Sequence, residues 1–387
     1  MLLDLLILQP IDLCNLNCSY CYLPGRRDPK LMSDEILEAS IRCAFNSSFI
    51  TPISDSDRLT IVWHSGEPLS AKIPFYQKAL SLISKYNVKN IPIKNNIQTN
   101  ATLINQEWCN FFKENDFEIG VSIDGPKFLH DTHRRDWKNR GSFDKVMTGI
   151  TLLRENKLPL RAICVLTKKS LSYAYEIYNF FKNNGFQSVG FNIDEVEGFN
   201  NSSSMEMQDS IEEYKQFMSK MYDLWTNDNK IMEIREFDTA TKTLLSKRYH
   251  PEYQAISTET LPFAIVSITK DGYITTFSPE LSGGIPSNRK NFAIDNVINI
   301  DSLDELIDNP RFIDMKNKIF TGVNNCAQKC KYFELCGGGS PSNKYYEKGS
   351  FEATETIACT FSRKALIDVM LTKLRHKSKI SELYVSY

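Results

Sequence analysis

Three cysteines near the start of the chain have a spacing that is typical of a metal-binding loop. Cys14, Cys18 and Cys21 are separated by three and then by two residues. Three thiolates can ligate three irons of a [4Fe–4S] cube and leave the fourth iron open to another ligand. A zinc knuckle is the alternative, but it needs a fourth ligand, and no further Cys or His lies within twenty residues of the loop. The spacing therefore favours an iron–sulfur site.

A second group of four cysteines lies close to the C-terminus: Cys326, Cys330, Cys336 and Cys359. Four thiolates can saturate a cube and leave no open iron, and they suit tetrahedral zinc equally well, so both metals stay open at this point. In a large chain of the cytosol, clustered cysteines bind metal more often than they form disulfides. The other three cysteines stand alone and are predicted to be small buried hydrophobes: Cys43, Cys109 and Cys164.

The composition indicates a folded protein with a substantial core. The 387 residues are 42% hydrophobic and 24% charged, which excludes disorder for the chain as a whole. This length predicts two to three average domains, or one large α/β barrel with an appendage.

Charge and hydropathy exclude several classes of partner. The net charge of −1 gives no basic surface for nucleic acid. The N-terminal apolar run is interrupted by Asp4 and Asp12, so it is too short to span a membrane. It also lacks the basic start and the cleavage site of a signal peptide. We therefore expect a cytoplasmic protein.

Short apolar segments alternate with amphipathic segments through the first 230 residues. The predicted strands are Leu5–Ile11, Arg58–His64, Ile93–Thr99, Phe117–Ile123, Leu160–Val165 and Ser188–Asn192. The predicted helices are Ser33–Phe45, Ile73–Tyr86, Asn105–Asn115, Ser142–Glu155, Ser172–Asn184 and Glu206–Asp228. This alternation predicts an α/β fold with a parallel sheet. Six units are two short of a closed eight-fold barrel, so a partial (β/α)6 barrel is expected.

Polar segments follow several of these strands at the point where each strand ends. The cysteine loop follows the first strand, Ser65–Pro68 follows the second, and Asp194 begins an acidic segment after the sixth. Because the carboxyl ends of parallel strands meet at one rim, these residues are expected to form one active site.

The pattern changes after about residue 240. Thr269–Thr276 predicts a hairpin with its turn at Asp271-Gly272, and Ser278–Asn291 predicts a loop. Asp301–Ile319 predicts a helix, and Ala365–Lys379 predicts a basic, solvated surface helix. The expected organisation is a barrel over 1–235, a loop-rich second domain over 236–365 and a helical tail over 366–387.

The first cysteine loop, with Tyr20 directly before its last cysteine, resembles the signature loop of radical S-adenosylmethionine (SAM) enzymes. Ser65-Gly66-Glu67-Pro68 is similar to the family's Gly-Gly-Glu-Pro element, which holds the SAM amino group, and departs from it at Ser65. The resemblance, which covers roughly residues 5–200, implies a SAM-binding [4Fe–4S] cluster and SAM as cofactors. It also assigns SAM contacts to a set of rim residues: Gln98, Asn100, Ser122, Asp124 and Arg134. The alternatives are ordinary turns at Gly66–Pro68 and Asp124–Pro126, and a surface charge at Arg134.

The second cysteine group resembles the SPASM extension of peptide-modifying radical SAM enzymes. The full pattern there has seven cysteines and two auxiliary clusters, whereas Thr269–Gly284 contains no cysteine and Gly337–Ser340 lacks the later one. The four that remain imply one auxiliary [4Fe–4S] cluster in a SPASM/twitch-like domain, with zinc as the alternative.

A narrower resemblance is to the cyclophane-forming maturases of glycine-rich-repeat precursors. It is carried by Leu335–Gly339, Asn343-Lys344, Thr354–Thr356 and Thr276–Glu280. It implies a precursor peptide in which an aromatic ring carbon is joined to the Cβ of a nearby residue, and an electron donor such as flavodoxin or ferredoxin. The residues expected to accept the ring proton are Asp194, Glu195 and Glu197.

Two other functions remain open. One is oxidation of a Ser or Cys to formylglycine in a sulfatase, on a closely similar scaffold, although those relatives resemble the seven-cysteine pattern. The other is a non-catalytic, zinc-stabilised protein that binds peptides. Iron content and SAM cleavage would separate this last function from both enzymes.

Overall fold

In the part of the chain that the structure describes, a single sheet of ten strands forms the framework of the fold. The computed structural model describes residues 2–51, 58–285, 287–288 and 290–384, with side chains through residue 375. The strands are β1 (Leu5–Leu8), β2 (Leu59–Trp63), β3 (Ile93–Thr99), β4 (Phe117–Ser122), β5 (Arg161–Leu166), β6 (Ser188–Ile193), β7 (Glu233–Ile234), β8 (Ile265–Ile268), β9 (Tyr273–Thr276) and β10 (Asp295–Asn296). Their order in the sheet is β10-β9-β8-β1-β2-β3-β4-β5-β6-β7.

Eight of the strands, from β8 through β1 to β7, run parallel, and β9 and β10 add antiparallel pairs at one edge. The α/β prediction and all six predicted strands are confirmed. The parallel sheet is larger than the six predicted units, because β7 and β8 extend it on both flanks. Strand β1 ends at Leu8 rather than at Ile11, since Pro10 has no N–H with which to continue the ladder.

The helices are α1 (Asp34–Asn46), α2 (Lys72–Tyr86), α3 (Gln106–Glu114), α4 (Lys127–His133), α5 (Phe143–Glu155), α6 (Ala174–Asn183), α7 (Ser210–Asn227), α8 (Arg235–Tyr249), α9 (Pro310–Lys329), α10 (Phe333–Cys336), α11 (Pro341–Lys348), α12 (Ile357–Cys359) and α13 (Leu366–Tyr384). Side-chain caps begin several of them: Ser33 accepts a hydrogen bond from the Ile36 N–H at α1, and Asn105 accepts one from the Trp108 N–H at α3. No helix in the described residues is long and apolar enough to cross a membrane.

Along each strand, side chains alternate between the hydrophobic core under the helices and a cavity on the other face of the sheet. In β2, Leu59, Ile61 and Trp63 are buried, whereas Val62 lies between them and lines a cavity. Trp63 packs edge-on against Tyr76 of α2, with ring centroids 5.3 Å apart. Because successive strand residues point to opposite faces, one set of side chains packs under the helices and the other faces the cavity.

The C-terminal half corrects the bounds of two predicted elements. The hairpin turn lies at Thr269–Gly272 as predicted, but its first strand is the earlier β8. The predicted helix 301–319 is a short 3-10 turn followed by α9, which begins at Pro310 and continues to Lys329. Residues 286 and 289 of the predicted loop lie outside the described residues.

Helix α13 is not a solvated surface helix over its first part. Four of its apolar side chains are buried against α7 and α8: Leu366, Ile367, Val369 and Met370. Lys373 forms an ion pair with Asp223 of α7, with an Nζ–Oδ2 distance of 2.6 Å. Apolar side chains three and four residues apart form a face that packs on neighbouring helices. The side chains of 376–379 lie outside the described part of this helix.

Candidate active site

The first three cysteines lie on the loop after β1 and line one cavity of about 610 Å³. Cys14, Cys18 and Cys21 are free thiols. The loop is fastened from one side, since Trp137 Nε1 donates to the Cys14 carbonyl at 2.8 Å and the Ser19 N–H donates to the His133 carbonyl at 3.0 Å. The sequence prediction that these residues converge on one site agrees with this arrangement. We call this space the central cavity.

The three thiols have the chemistry of an iron–sulfur ligand set. Burial raises the pKa of the Cys14 thiol, and burial also raises that of Cys18 to about 11; a bound metal cation reverses such shifts, because the thiolate is the ligating form. Among the described residues, no three His, Cys, Asp or Glu side chains converge closely enough to share one metal ion. Three thiols on one cavity wall are the donor set of a [4Fe–4S] cube, in which each thiolate binds a separate iron. The residues present fit a cube.

The turn after β2 approaches the cysteine loop closely. Gly66 has a φ of +56°, and a Cβ atom there would lie 2.5 Å from the Asp12 carbonyl oxygen. No other residue type fits this position without displacing backbone. Ser65 has a φ of +86°, a conformation that L-residues rarely adopt. Ser65, the one difference from the Gly-Gly-Glu-Pro element, therefore occupies a backbone conformation that glycine would adopt without strain.

Glu67 is fully buried beneath this turn and does not line the central cavity. Its carboxylate accepts hydrogen bonds from Thr99 Oγ1 at 2.6 Å, the Asn100 N–H at 2.8 Å and the Leu69 N–H at 3.1 Å. Burial raises the pKa of Glu67 to about 7, although these three donors act against the rise. These three hydrogen bonds anchor Glu67 to the turn and to the end of β3, and the contact with SAM that the resemblance implies stays a prediction.

Side chains at the end of β3 connect the rim to the cysteine loop. Asn100 Nδ2 donates to Asn15 Oδ1 at 2.8 Å and lies 3.8 Å from Cys14 Sγ. Gln98 Nε2 donates to Ser122 Oγ at 2.8 Å across to β4. These contacts hold the cavity-facing amides in fixed directions.

A buried ion pair joins the fourth strand to the segment after α4. Arg134 Nε lies 3.0 Å from Asp124 Oδ2, and the same oxygen accepts a hydrogen bond from the Tyr20 hydroxyl. Burial alone would raise the pKa of Asp124, but Arg134, His130 and the Tyr20 hydroxyl together outweigh it and hold that pKa below its usual value. Arg134 is 7% exposed, so the alternative interpretation as a surface charge is wrong.

The predicted cofactor contacts divide into two sets. The residues that line the central cavity are Tyr20, Gly66, Gln98, Asn100, Ser122 and Arg134. Four others are buried and do not line it: Ser65, Glu67, Pro68 and Asp124.

The three predicted proton acceptors all line the central cavity but differ in their bonding. The carboxylate of Asp194 accepts hydrogen bonds from the Ser204 N–H at 2.9 Å and from Asn200 Nδ2 at 3.2 Å, so it stabilises its own loop. Within the described residues, the Glu195 carboxylate accepts one hydrogen bond, from Asn343 Nδ2 at 3.2 Å. Burial raises the pKa of Glu195 to about 7.

Glu197 and Glu280 form the acidic centre of the cavity wall. Glu197 Oε1 accepts hydrogen bonds from Ser342 Oγ and Asn343 Nδ2, both at 2.7 Å. Burial, then Glu280 and Glu195, raise the pKa of Glu197 well above its usual value, and burial with Glu259 raises that of Glu280 to about 8. The sequence prediction missed Glu280, although it lies in a motif segment and next to the helix-starting Pro279, because nothing in its spacing links it to Glu197.

Three cysteines of the second group lie on helices α9, α10 and α12, and Cys330 directly follows the end of α9. Cys326 Sγ, on α9, lies 3.5 Å from the Thr354 carbonyl oxygen and 3.8 Å from that of Gly338. Burial raises the pKa of Cys336, and the nearby Cys359 raises it further. Burial lowers the pKa of Lys364, whereas Glu355, Cys359 and Cys330 raise it. These shared neighbours place the four thiols in one region.

Comparisons with known proteins identify sequences that are similar to this chain. The sequence model described as the Radical SAM superfamily matches residues 8–181. An uncharacterised protein of Synechocystis sp. is 37% identical over 96% of this chain and 92% of its own length. A cysteine-type anaerobic sulfatase-maturating enzyme of Clostridium perfringens is 30% identical over 87% of this chain and 88% of its own.

Solved structures extend the similarity to the whole fold. A structure described as anSMEcpe with bound AdoMet has a TM-score of 0.76 and 25% identity, and covers 97% of this chain and 98% of that one. Streptococcus suis SuiB bound to precursor peptide SuiA has a TM-score of 0.66 at 18% identity, over 92% and 76% of the two chains, which shows a shared fold alone.

Proposed function

This chain belongs to the radical SAM superfamily, and we propose that it modifies a precursor peptide by joining an aromatic ring carbon to the Cβ of a nearby residue. In this proposal Cys14, Cys18 and Cys21 hold the SAM-binding [4Fe–4S] cluster. SAM lies along the cavity-lining set from Gly66 to Arg134. A flavodoxin or ferredoxin would supply the electron, and the enzyme would act in the cytoplasm. The barrel domain would span 1–235, the auxiliary-cluster domain 236–365 and the helical tail 366–387.

A peptide substrate is supported by what similar structures contain. A second structure of anSMEcpe is described with a bound Cp18Cys peptide, and SuiB with its precursor peptide SuiA. The central cavity here is open enough to admit a peptide segment, with a volume of about 610 Å³. We take a ribosomally made precursor as the substrate class.

One observation carries the proposal: the thiol loop and Glu195, which accepts a single hydrogen bond within the described residues, line the same cavity. When bound, the loop cluster and SAM supply a hydrogen-abstracting radical, and a cluster at the four C-terminal thiolates supplies an electron acceptor. Forming the cross-link removes one Cβ hydrogen atom, then one electron and the ring proton. The chain must therefore hold the two peptide carbons together and provide a proton acceptor.

Glu195 is the carboxylate best suited to accept the ring proton. A general base works best when its pKa is near the working pH, and burial raises that of Glu195 to about 7. Asp194 is engaged by Ser204 and Asn200, and Glu197 is engaged by Ser342 and Asn343. We propose that Asn343, which donates to both Glu195 and Glu197, fixes the direction of Glu195.

A second candidate function, oxidation of Ser or Cys to formylglycine, is favoured by the 30% identity to a sulfatase-maturating enzyme. Cross-linking is favoured by the segment around β9, where the sequence has no cysteine to bind a further cluster. The described residues there form an aromatic stack instead: Phe277 is fully buried and lies parallel to Phe312, with centroids 6.2 Å apart.

Tandem mass spectrometry separates the two functions. The product of a short open reading frame beside the gene would be co-expressed with the enzyme. Cross-linking removes two hydrogens and suppresses fragmentation between the joined residues, whereas formylglycine leaves fragmentation intact and reacts with a hydrazine. A hydrazine-reactive product without a cross-link would replace the first candidate by the second.

A further inference from the structure

A group of cationic side chains lies on the outer side of the first cysteine loop. Its members come from two segments that both contact the loop: Arg26, Arg27, Arg135, Lys138 and Arg140. These five residues do not line the central cavity, which the thiols face from the other side of the loop. We call this surface the basic face.

Hydrogen bonds join the basic face to the cysteine loop. The Cys14 N–H donates to the Arg26 carbonyl at 2.9 Å. The Asn17 N–H donates to the Arg135 carbonyl at 2.6 Å. The Arg26 side chain also reaches the loop, since its Nη1 donates to the Cys18 carbonyl at 3.2 Å. The cations therefore lie directly against the segment that carries the thiols.

Trp137, which is partly exposed, forms the centre of the basic face. Its indole N–H donates to the Cys14 carbonyl at 2.8 Å. The guanidinium carbons of Arg26 and Arg27 lie 5.5 and 4.1 Å from the centroid of its ring. Tryptophan and arginine are the residue types that are enriched at protein–protein interfaces and at their binding hot spots. This composition indicates a surface that binds another protein.

The positive charge of the basic face is largely uncompensated. Asp136 pairs with Arg140, with 2.6 Å between Oδ2 and Nη2, and the nearby Asp28 pairs with Lys270 at 2.9 Å. Within the described residues, four cations of the face have no carboxylate within ion-pair distance: Arg26, Arg27, Arg135 and Lys138. The whole chain has a net charge of −1, so this local excess of one sign is a feature of the loop and not of the composition. A surface of one sign attracts a partner of the opposite sign.

We infer that the basic face docks a small acidic electron-transfer protein, which delivers its electron at the first cysteine loop. This inference rests on the proposed function, because it takes such a protein as the electron donor, and it adds the place of docking. The contacts of Arg26 and Trp137 with the loop backbone put a docked partner beside the thiol-bearing segment. In each encounter the donor's cofactor is oxidised by one electron and the cluster held by the loop is reduced by one, and no bond forms or breaks.

Calorimetry with defined probes tests the inference. The SAM-loaded, reconstituted enzyme would be titrated with a purified flavodoxin and with a purified ferredoxin, both oxidised. We expect at least one of them to bind, at least about tenfold more weakly in about 0.15 M than in about 0.01 M salt, because the Debye length falls from about 30 to about 8 Å.

Two double variants with equal loss of charge locate the binding surface. Arg27→Gln, Lys138→Gln should weaken donor binding at low salt at least about tenfold, since it removes two exposed charges of the basic face. Lys113→Gln, Arg154→Gln removes two charges from the last turns of α3 and α5 and should bind the donor as the wild type does.

A second readout separates docking from damage to the active site. With dithionite, a small reductant that needs no docking surface, Arg27→Gln, Lys138→Gln should form 5′-deoxyadenosine as fast as the wild type. With a subsaturating amount of the reduced donor protein, its rate should fall at least about fivefold.

Equal donor affinity in the two double variants, or binding of neither donor to the wild type, would overturn the inference. So would an equal loss of the dithionite-driven and the donor-driven rates, or a loss of affinity for the precursor peptide in place of the donor. Donor binding without any cross-linked product would contradict only the proposed function, and dithionite-driven cross-linking without donor binding only the docking face.

Discussion

Asp124 and Arg134 form a buried ion pair at the wall of the central cavity, with 3.0 Å between Oδ2 and Nε and side-chain exposures of 5% and 8%. The guanidinium also lies 5.4 Å from the ring centroid of Tyr20, the residue before the last loop cysteine. One pair of charges thus connects the end of β4 to the cysteine loop. The geometry of the loop depends on this pair.

Removing one partner of the pair should destabilise the protein strongly. We expect Arg134→Met to lower the free energy of unfolding by about 3–5 kcal/mol, because Asp124 would remain buried without its cation. The double variant Asp124→Asn, Arg134→Met should lose less. Urea unfolding measures both, with exposed Arg154→Met as a control. A double variant as unstable as the single one would contradict this explanation.

The direction of the Asp124 pKa shift determines how the stability that this pair contributes depends on pH. The pKa of Asp124 is lower in the folded protein than its usual value. Its stabilisation is therefore complete above about pH 4, its unfolded pKa, and is lost as the pH falls further. In the double variant this part of the acid transition should disappear.

Ser65→Gly should stabilise the chain. Ser65 is held at a φ of +86°, where a non-glycine residue costs about 1–3 kcal/mol and glycine costs little beyond about 0.5–1 kcal/mol of chain entropy. We expect a net gain of about 1 kcal/mol in urea unfolding. Ser65→Ala keeps the Cβ atom and should give no gain. If the glycine variant is no more stable than the alanine variant, backbone strain at residue 65 does not lower the stability of the protein.

Glu67 should affect SAM binding through the turn that it anchors. Glu67→Ala leaves the Asn100 and Leu69 N–H groups without their acceptor, and each unsatisfied buried group costs about 1–3 kcal/mol. We expect SAM affinity to fall at least about tenfold, equivalent to about 1.4 kcal/mol, as measured by calorimetry. Glu38→Ala, at a partly exposed glutamate of α1 away from the central cavity, is the control. Unchanged affinity would show that the turn does not shape the SAM site.

Glu195 should control cross-linking but not SAM cleavage. We expect Glu195→Gln to reduce cross-linked product about 100-fold or more, the usual contribution of a general base, while 5′-deoxyadenosine still forms. Since the carboxylate must be ionised and its pKa is about 7, the wild-type rate should rise as the pH increases through 7. The exposed Glu176→Gln variant should keep both activities. A normal cross-linking rate in Glu195→Gln would assign the proton to another group.

Iron content should distinguish one auxiliary cluster from none or two. With about four irons per cube, the intact protein should hold about eight, and Cys326→Ala, Cys330→Ala should hold about half. This variant should still bind SAM and make little cross-linked peptide. A count near twelve would require ligands beyond the four cysteines, and stoichiometric zinc would remove the proposed electron acceptor.

The sequence predicted most of the fold because six of the strands are apolar and separated by helices of regular period. It failed where the signal was too short or too distant. Strand β7 has two residues, and β8 pairs with β1 across more than 250 residues of chain. Helix α13 was assigned to solvent from its lysines, although its first apolar residues form a buried face.

The candidate site divides in the same way. The cysteine loop and the rim residues share a cavity, as strand-end logic predicts. The inward packing of Glu67 was not predictable, since a motif fixes a residue type and not the direction of its side chain. Glu280 and Glu259 come together with Glu197 only through tertiary contacts between the two halves of the chain.

The most direct test of the central claim is the fate of one hydrogen atom. A precursor peptide carrying deuterium at the Cβ of the residue to be cross-linked would be incubated with reconstituted enzyme, reductant and SAM. We expect one deuterium in 5′-deoxyadenosine for each cross-link detected by tandem mass spectrometry, and neither product from Cys14→Ala, Cys18→Ala, Cys21→Ala. Cross-linked peptide formed without deuterium transfer, or by the triple variant, would contradict the account.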